Sequence, residues 1–337
     1  MFRLPALPIT WRPSESVRLI GRRLLKAIPL LLAVIIFNFV LLKMAPGDAA
    51  DVLAGESAAG TPEYLAELRA RFGLDRPVHE QLVSYVVKVA QLDLGYSFRH
   101  NQSVLELILG RLPATLLLMV TGLVVAVGVG TSLGVLAAQK VNSLRDNLIS
   151  LFAMLAFATP VFWMGLMMIV LFSVHLGWLP SSGMESIAAG YSGLTRVLDI
   201  AHHMVMPVAT LALFYVALYT RVMRASMLEV FNQDYVTTAR AKGLSESRIT
   251  WRHVLRNALL PLVTLLGVQM GTMLGGSVLV ETVFSWPGLG RLAFEAVFQR
   301  DINLLLGILL LCSVVVILAN IAVDLAYTKL DPRIRMS

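Results

Sequence analysis

Residues 302–327 read INLLLGILLLCSVVVILANIAVDLAY, and this stretch decides the class of fold. It contains one charged residue, Asp324, close to its end. A helix of about 20 mostly apolar residues crosses the hydrocarbon core of a bilayer. We therefore predict that residues 302–327 form a transmembrane helix, because no soluble core requires an apolar run of this length.

Five earlier stretches have the same character, at residues 27–44, 115–138, 148–171, 204–220 and 259–283. The 337-residue chain is 57% hydrophobic and only 15% charged, whereas soluble domains carry about 25% charged residues. The predicted fold class is an all-α membrane protein with six transmembrane helices. The stretch at 204–220 is the shortest and least obvious of the six.

The distribution of Lys and Arg predicts how the spans are oriented. Most of the 28 basic residues lie before the first span, after the second, between the fourth and fifth, and after the sixth. Short cytoplasmic loops are enriched in basic residues, so both termini are predicted to be cytoplasmic. The first span is longer than the apolar part of a signal peptide and lacks a clear cleavage site, which predicts that it is retained.

The loops suggest four regions: a cytoplasmic N-terminal segment (1–26), a first span with a long outer loop (27–114), a five-helix core (115–328) and a cytoplasmic tail (329–337). In the outer loop, Thr61 as cap, Pro62 at the first helical position and Gly73 as terminator predict a helix over residues 62–72. A later outer turn at residues 286–290 is predicted to hold Trp286 at interfacial depth.

A second outer helix is predicted near residues 79–91, where apolar side chains recur at helical spacing. The residues of its predicted packing face are Leu82, Val83, Val86, Val87 and Ala90.

No motif for catalysis or cofactor binding is found in the sequence. A phosphate-binding G-x-x-x-x-G-K-[ST] loop is absent, as are H-E-x-x-H and a nucleophile elbow. The six histidines are scattered, and the single cysteine, Cys312, lies within an apolar run. We therefore expect no enzyme activity, no metal and no cofactor in this chain. The net charge of +7 comes without a basic surface interleaved with aromatic residues, so nucleic acid is not an expected partner.

Small residues on two spans predict close helix packing. Gly267, Gly271 and Gly275 are spaced by four, and Gly130 and Gly134 repeat the spacing on the second span. Polar residues also interrupt the fifth span, and a polar group inside a span usually faces protein or water. The candidate residues of a transport pathway are Gln269, Thr272, Ser277 and Glu281. The alternative is that they serve packing within one chain.

Two further polar residues in spans suggest structural roles. Asn38 in the first span is predicted to form an interhelical hydrogen bond. Asp324 lies one turn after Asn320 and near the inner end of the last span, which favours helix anchoring over proton transfer.

The inner segment at residues 234–261 is unusually basic and reads DYVTTARAKGLSESRITWRHVLRNALLP. Gly243 is predicted to divide it into two short helices, with Ser245 as cap of the second. Arg248, Arg252 and Arg256 are spaced by four and form one basic stripe. From the residues alone, docking of a partner protein and contact with anionic lipid head groups are equally plausible.

This segment resembles the EAA-type cytoplasmic loop of binding-protein-dependent ABC importer permeases, and the chain is most similar to the B-type subunits of dipeptide and oligopeptide permeases. The similarity rests on residues 235–244 and 256–261 within the segment. It extends to FGLDRP at 72–77, LGYS at 94–97, RLPAT at 111–115, ETVF at 281–284, PGLG at 287–290 and DPRI at 331–334.

The resemblance implies a set of partners that composition does not reveal. Such permeases pair with a second, related permease subunit, are powered by two cytoplasmic ATPase subunits that bind ATP and Mg²⁺, and receive solute from a periplasmic binding protein. The outer loops, residues 60–112 in particular, would face that binding protein. The expected location is the bacterial inner membrane, with lipid around the spans.

The resemblance also implies that the EAA-type loop carries a coupling helix that fits a groove on one ATPase. Thr237, Thr238 and Ala239 take the Glu-Ala-Ala positions, and Gly243 takes that of the glycine. The sequence departs from the general pattern in having Thr for Glu, and a longer gap from Gly243 to Pro261. The full set of predicted coupling residues is Asp234, Tyr235, Thr237, Thr238, Ala239, Arg240, Ala241, Lys242 and Gly243.

The resemblance implies ATP-driven alternating access, with small peptides as the first choice of solute. Relatives also carry glutathione, nickel, opines or sugars. The main alternative function is a secondary transporter or channel without ATPases, which would be expected to show intramembrane carboxylates or paired broken helices. A membrane enzyme is the other alternative.

Overall fold

A computed structural model describes residues 15–44 and 61–330, with side chains described for 20–44, 61–70 and 73–325. The structure is almost entirely helical, as predicted, apart from one short antiparallel pair of strands. The elements in chain order are α1 (Glu15–Met44), α2 (Pro62–Phe72), α3 (Val78–Ala90), β1 (Tyr96–Ser97), β2 (Gln102–Ser103), α4 (Val104–Ala138), α5 (Leu144–Ala158), α6 (Val161–Met168), a π-helical turn (Ile169–His175), a 3₁₀ turn (Ile187–Ala189), α7 (Gly193–Phe231), α8 (Asp234–Ala241), α9 (Glu246–Arg248), a second π-helical turn (Ile249–Val254), α10 (Leu255–Ala258), α11 (Leu260–Val283), α12 (Leu289–Gln299) and α13 (Ile302–Leu330).

Five helices of the described chain are long and apolar enough to cross a membrane. A sixth crossing exists if α5 and the segment Val161–His175 count as one span, although they meet at 104°. The stretch predicted as the third span, residues 148–171, is therefore divided between two helices, and a single crossing there stays a prediction. The break lies at Thr159 and Pro160, where Thr159 has extended backbone angles. Proline lacks an amide N–H and disfavours helical geometry in the preceding residue, so the helix ends there.

The fourth span is the longest helix in the structure, although the sequence predicted it to be the shortest. Helix α7 extends over 39 residues and includes Pro207 within it. More than half of its most apolar window is buried inside the protein, a larger share than in the other four spans. Because α7 is surrounded largely by protein rather than lipid, it tolerates polar residues. These residues interrupt the apolar run, which is why the predicted span was shorter than the helix.

Glycines of α4 bring it into direct contact with α7. A Cβ atom on Gly130 would lie 2.7 Å from Cβ of Tyr219, and one on Gly134 would lie 2.5 Å from Cβ of Met223. The predicted packing role of this glycine pair is confirmed. The glycines of α11 differ in whether they pack against another helix. Gly267 lies against Asn320 of α13, whereas a Cβ on Gly275 would meet nothing within 4 Å.

Helix α1 is joined to α13 by polar contacts at two levels. The Asn38 side chain donates to the Leu306 carbonyl over 3.1 Å, which confirms the predicted interhelical hydrogen bond. Nearer the termini, Arg23 Nε lies 2.8 Å from Asp324 Oδ2. The predicted anchoring role of Asp324 is confirmed, because its carboxylate holds the two helices together.

The long outer loop contains both predicted helices. The Thr61 side chain accepts a hydrogen bond from the Tyr64 amide, and Gly73 ends α2 in the left-handed region at φ 66°. Residues 45–60 lie outside the described part of the chain.

The predicted packing face of α3 was partly wrong. Val83 and Val87 are exposed, whereas Val89 is buried and Tyr85 meets Phe39 of α1 with ring centroids 5.8 Å apart. Among the described residues α3 packs chiefly against α1, and periodicity does not reveal which flank a neighbouring helix covers.

The strand pair β1–β2 attaches the outer loop to the start of α13. Ser97 is fully buried and its hydroxyl donates to the Asp301 carboxylate. The other oxygen of Asp301 accepts from the Leu304 amide at 3.1 Å, as a helix cap does. The LGYS stretch at 94–97 therefore has a structural role at the outer end of the last span.

Candidate functional site: an inner helical hairpin and an outer buried carboxylate

The segment after α7 folds as a helical hairpin, which we call the inner hairpin (residues 234–258) after the side of the membrane predicted for it, as "outer" denotes the predicted opposite side. Helix α8 forms its first limb, and Gly243 follows in the left-handed region at φ 74°. The second limb runs through α9, a π-helical turn and α10 to the start of α11. The predicted division at Gly243 is confirmed, and the hairpin connects two membrane-crossing helices without an intervening long loop.

Two buried residues fix the rotation of α8. Val236 is fully buried and Ala239 nearly so, and both join the main core with Ile249 and Val254 of the second limb. Thr237, Thr238, Ala241 and Lys242 are left exposed on the opposite side. The structure therefore divides the predicted coupling residues, with Ala239 inside the core and the others at the surface.

Two side-chain contacts hold the limbs of the inner hairpin together. Asn257 Nδ2 donates to the Tyr235 hydroxyl over 2.7 Å, and Arg240 binds Glu246 through Nε at 2.8 Å. The hydrogen bond to Glu246 raises the pKa of the Arg240 guanidinium above its ordinary value. Arg240 also lies 6.0 Å from the ring centre of Phe231. Its charge therefore stabilises the turn at Gly243.

The second limb exposes the predicted basic stripe. Arg248, Arg252 and Arg256 are all exposed, and Trp251 between them is 56% exposed. Ser245 occupies the predicted cap position with extended backbone angles, but its hydroxyl forms no capping hydrogen bond. The predicted position of the cap is confirmed, and the backbone of Ser245 begins the helix without a bond from its side chain.

A buried ion pair near the inner hairpin was missed by the sequence reasoning. Asp146, 2% exposed, accepts two hydrogen bonds from Arg224 of α7, at 2.7 and 2.8 Å. The Asn142 amide donates to the same carboxylate at 2.9 Å. A signal was present: the Ser143-x-x-Asp146 spacing is typical of a helix start, and Ser143 does cap α5. Its long-range partner is not visible in the sequence.

A second buried carboxylate organises the outer end of α11. Glu281 is fully buried and accepts hydrogen bonds from the Thr115 hydroxyl at 2.7 Å and the Arg291 amide at 3.0 Å. A Cβ on Gly288 would overlap the Glu281 carboxyl group, and one on Gly290 would lie 2.6 Å from Cα of Val278. The glycines of PGLG are therefore needed to bring the backbone against this carboxylate.

The same outer cluster buries Trp286, which the sequence predicted to lie at the membrane interface. Trp286 is fully buried, and its indole N–H donates to the Ala114 carbonyl over 2.9 Å. Leu289 N–H donates to the Thr115 hydroxyl over 2.7 Å. Trp286 is thus enclosed by protein, where a specific acceptor satisfies the indole, and its predicted interfacial depth stays a prediction. Residues 111–115 (RLPAT), 281–284 (ETVF) and 287–290 (PGLG) therefore contribute to one site.

The four predicted pathway residues fall into two groups. Thr272 is exposed and donates to the Gln269 side chain over 2.6 Å, and it also contacts the Tyr215 hydroxyl of α7. Ser277 is buried and donates to the Leu274 carbonyl within its own helix. Glu281 belongs to the outer cluster. Of the four candidates, Thr272 is therefore exposed and Gln269 half-buried, whereas Ser277 and Glu281 are enclosed by protein.

The described residues contain no group of three or more His, Cys, Asp or Glu side chains arranged to hold a metal ion. Cys312 is half-buried within α13.

The chain belongs to the family described as "Binding-protein-dependent transport system inner membrane component", which it matches over residues 130–336. The N-terminal region of such components matches over residues 16–119. The family forms the membrane-spanning, multi-pass permease part of ABC importers, which work with ATPases and substrate-binding proteins, and it is not itself catalytic.

Relatives in other bacteria are similar over nearly the whole chain. The dipeptide transport system permease protein DppB of Escherichia coli K12 is 39% identical, with 95% of this chain and 99% of the relative covered. A putative peptide permease of Brucella ovis is 42% identical over 94% and 98% of the two chains. Among solved structures, the inward-facing MetNI methionine ABC transporter matches 67% of this chain and 96% of its own, with a TM-score of 0.51 and 19% identity, which shows the fold alone.

Proposed function

We propose that this chain is one of two related membrane subunits of an ABC importer for dipeptides and oligopeptides. A periplasmic binding protein delivers the peptide, and two ATPases, which hold the ATP and Mg²⁺, drive alternating access. The inner hairpin carries the proposal, because it presents an exposed helix face that is rigidly joined to the spans. The peptide assignment is supported by similarity to permeases named for dipeptide or oligopeptide transport.

In this proposal the exposed side of α8 enters a groove on an ATPase. Helix α8 begins three residues after the end of α7. Its buried residues and the two cross-limb contacts also tie it to the segment that leads into α11. A displacement of α8 is therefore transmitted to both spans together. Asp234, Tyr235 and the residues from Thr237 to Gly243 form the proposed coupling element, with Ala239 and Arg240 positioning the others.

The proposed topology has six spans, with α5 and α6 counted as one bent crossing and both termini in the cytoplasm. Residues 1–26 and 329–337 are then cytoplasmic, 27–114 holds the first span and the periplasmic loop, and 115–328 is the transport core. The basic residues of the inner hairpin support this orientation. Gln269 and Thr272 are the proposed polar contacts of the moving peptide, which presents backbone amides and carbonyls along its whole length.

The test replaces an exposed residue of α8 while leaving its buried side intact. Thr237→Trp places a large side chain where the ATPase groove would close. We expect loss of the ATPase subunits on purification and loss of ATP-dependent dipeptide uptake into proteoliposomes. Thr195→Trp, at an exposed threonine near the opposite end of α7, is the matched control and should retain the ATPases. Dipeptide uptake by the chain without ATPases would instead support a secondary transporter or channel.

A further inference from the structure

We propose that Tyr235 and Asn257 are positioning residues of the transport cycle, and that the hydrogen bond between them passes a displacement of α8 on to α11. The inference rests on the proposed transport function and deepens it, because it assigns this transmission to one bond of the inner hairpin. Asn257 lies outside the proposed coupling element, and Tyr235 becomes a link to α11 rather than a contact of the ATPase.

The first argument is where the bond lies in the inner hairpin. Tyr235 comes four residues after Phe231, the end of α7, and Asn257 comes three residues before Leu260, the start of α11. Asn257 Nδ2 donates to the Tyr235 hydroxyl over 2.7 Å. The bond therefore closes the open end of the hairpin, where the two spans enter it.

The other contact between the limbs lies at the closed end. Arg240 and Glu246 flank the turn at Gly243, where a few residues of chain already keep the limbs together. The ion pair there duplicates a covalent connection. At the open end, by contrast, the chain between the two bonded residues runs along both limbs, so the hydrogen bond is the shorter connection.

The second argument is the route by which a displacement reaches α11. Helix α8 begins three residues after α7 ends, so the chain itself joins these two. Towards α11 the chain passes through α9, a π-helical turn and α10, which have three, six and four residues. The hydrogen-bond pattern of this limb changes twice, because a π-helical turn bonds one residue further along than an α-helix does. The contact across the hairpin is therefore the more direct route.

The third argument is that both partners are held in place. Asn257 Nδ2 carries two N–H groups, and it donates one to the His253 carbonyl over 3.1 Å and the other to Tyr235. A carbonyl only accepts, so the amide must face both partners with its nitrogen. The next residues in sequence, Val236 and Ala258, are fully buried in the main core. The bond therefore joins two fixed points of the backbone.

The bond itself is at the surface, which separates its role from stability. Tyr235 is 42% exposed, and Asn257 is exposed as well. Water replaces such a bond when the limbs separate, so its loss leaves the folded core intact. Apolar packing is non-directional, whereas a hydrogen bond has a preferred length and angle. The bond therefore fixes the register between α8 and the start of α11.

The test measures the number of dipeptides taken up per ATP hydrolysed, in proteoliposomes that hold the complete complex with its binding protein. Tyr235→Phe removes the hydroxyl and keeps the ring, and Asn257→Leu removes the donor at similar size. Loss of one such bond shifts the equilibrium between joined and separated limbs about fivefold, so we expect the ratio to fall severalfold while ATP hydrolysis continues. A loss of folded complex would instead lower uptake and hydrolysis together.

Two further variants separate the bond from the side chains that form it. Asn257→Asp should keep the ratio near that of the wild type, because the Tyr235 hydroxyl can donate to a carboxylate at this position. In the Tyr235→Phe background the same change should give no rescue. Tyr191→Phe removes the hydroxyl from a tyrosine of similar exposure in an outer segment, and this matched control should leave the ratio unchanged.

The outcomes distinguish this inference from the function on which it rests. An unchanged ratio in Tyr235→Phe, in a complex whose wild type takes up dipeptides with ATP, would overturn the inference alone. An equal fall in Tyr191→Phe would do the same. Absence of ATP-dependent uptake by the wild-type complex would overturn the proposed function, and this inference with it.

Discussion

At the scale of single residues, two buried carboxylates have roles that their positions in the sequence conceal. Glu281 was a candidate for lining the pathway, yet it is enclosed by the Thr115 hydroxyl and by the backbone amides of Gly290 and Arg291. Asp146 lies at an ordinary helix start, yet it holds Arg224 of a distant helix. In both cases one donor comes from a segment far away in the chain, and only the fold brings it to the carboxylate.

The ion pair at Asp146 leads to a prediction about stability. Asp146→Ala leaves Arg224 without its partner in a largely protein environment. We expect a loss of about 3 kcal/mol, near the lower end for a buried pair because Arg224 is partly exposed. The double variant Asp146→Leu/Arg224→Met should recover most of that loss, since no unpaired charge remains. The measurement is the free energy of unfolding of the purified protein in detergent.

A control with much greater exposure is available at the pair of Arg240 and Glu246. Glu246→Ala should cost only about 0.2–1 kcal/mol, as expected for an exposed pair. If both single variants lost equally little stability, Asp146 and Arg224 would not form a buried pair.

At the scale of helices, small residues set how closely the spans approach. Gly130 and Gly134 let α4 lie directly on α7, where any Cβ atom would overlap Tyr219 or Met223. Inside lipid the hydrophobic effect does not drive helices together, so close van der Waals contact of this kind stabilises their association. The π-helical turn in the second limb and the break at Pro160 show that other helices are irregular where the chain changes direction.

The contact of α4 with α7 predicts opposite effects for two glycines of the same helix. Gly134→Ala should destabilise the protein by about 1–3 kcal/mol, because the added methyl group must displace Met223 and the Thr220 carbonyl. Gly128→Ala should be neutral or slightly stabilising, since a Cβ there meets nothing within 4 Å and alanine favours the helix.

The midpoint of thermal unfolding, measured for both glycine variants in the same detergent, distinguishes the effect of packing on stability from the effect of helix propensity. A rise in the midpoint for Gly134→Ala would mean that α4 and α7 are not in direct contact.

At the scale of the whole molecule, the fold separates an inner hairpin from an outer buried cluster. Helix α7 bears the inner hairpin at its C-terminal end, and α11 connects that hairpin with Glu281 at its own C-terminal end. These two helices therefore provide the physical connection between the proposed ATPase side and the proposed binding-protein side.

The proposed orientation predicts the labelling of single cysteines in intact spheroplasts. In a Cys312→Ala background, Ile187→Cys should react with a membrane-impermeant maleimide, because Ile187 is 90% exposed in a proposed outer loop. Arg22→Cys, near the proposed cytoplasmic end of α1, should react only after the membrane is opened. Labelling of Arg22→Cys in intact spheroplasts would mean that the proposed orientation is inverted.

Local patterns were sufficient to predict the class of fold, the family, the outer helix with its Thr61 cap, and the division of the inner segment at Gly243. These features depend on local rules of apolar length, capping and backbone freedom, which act over a few neighbouring residues. The three-dimensional structure was needed to see the bend at Pro160, the length of α7, the burial of Trp286 and Glu281, and the pairing of Asp146 with Arg224. Each of these depends on which distant group supplies a hydrogen bond, a charge or a packing surface, and local patterns do not contain that information.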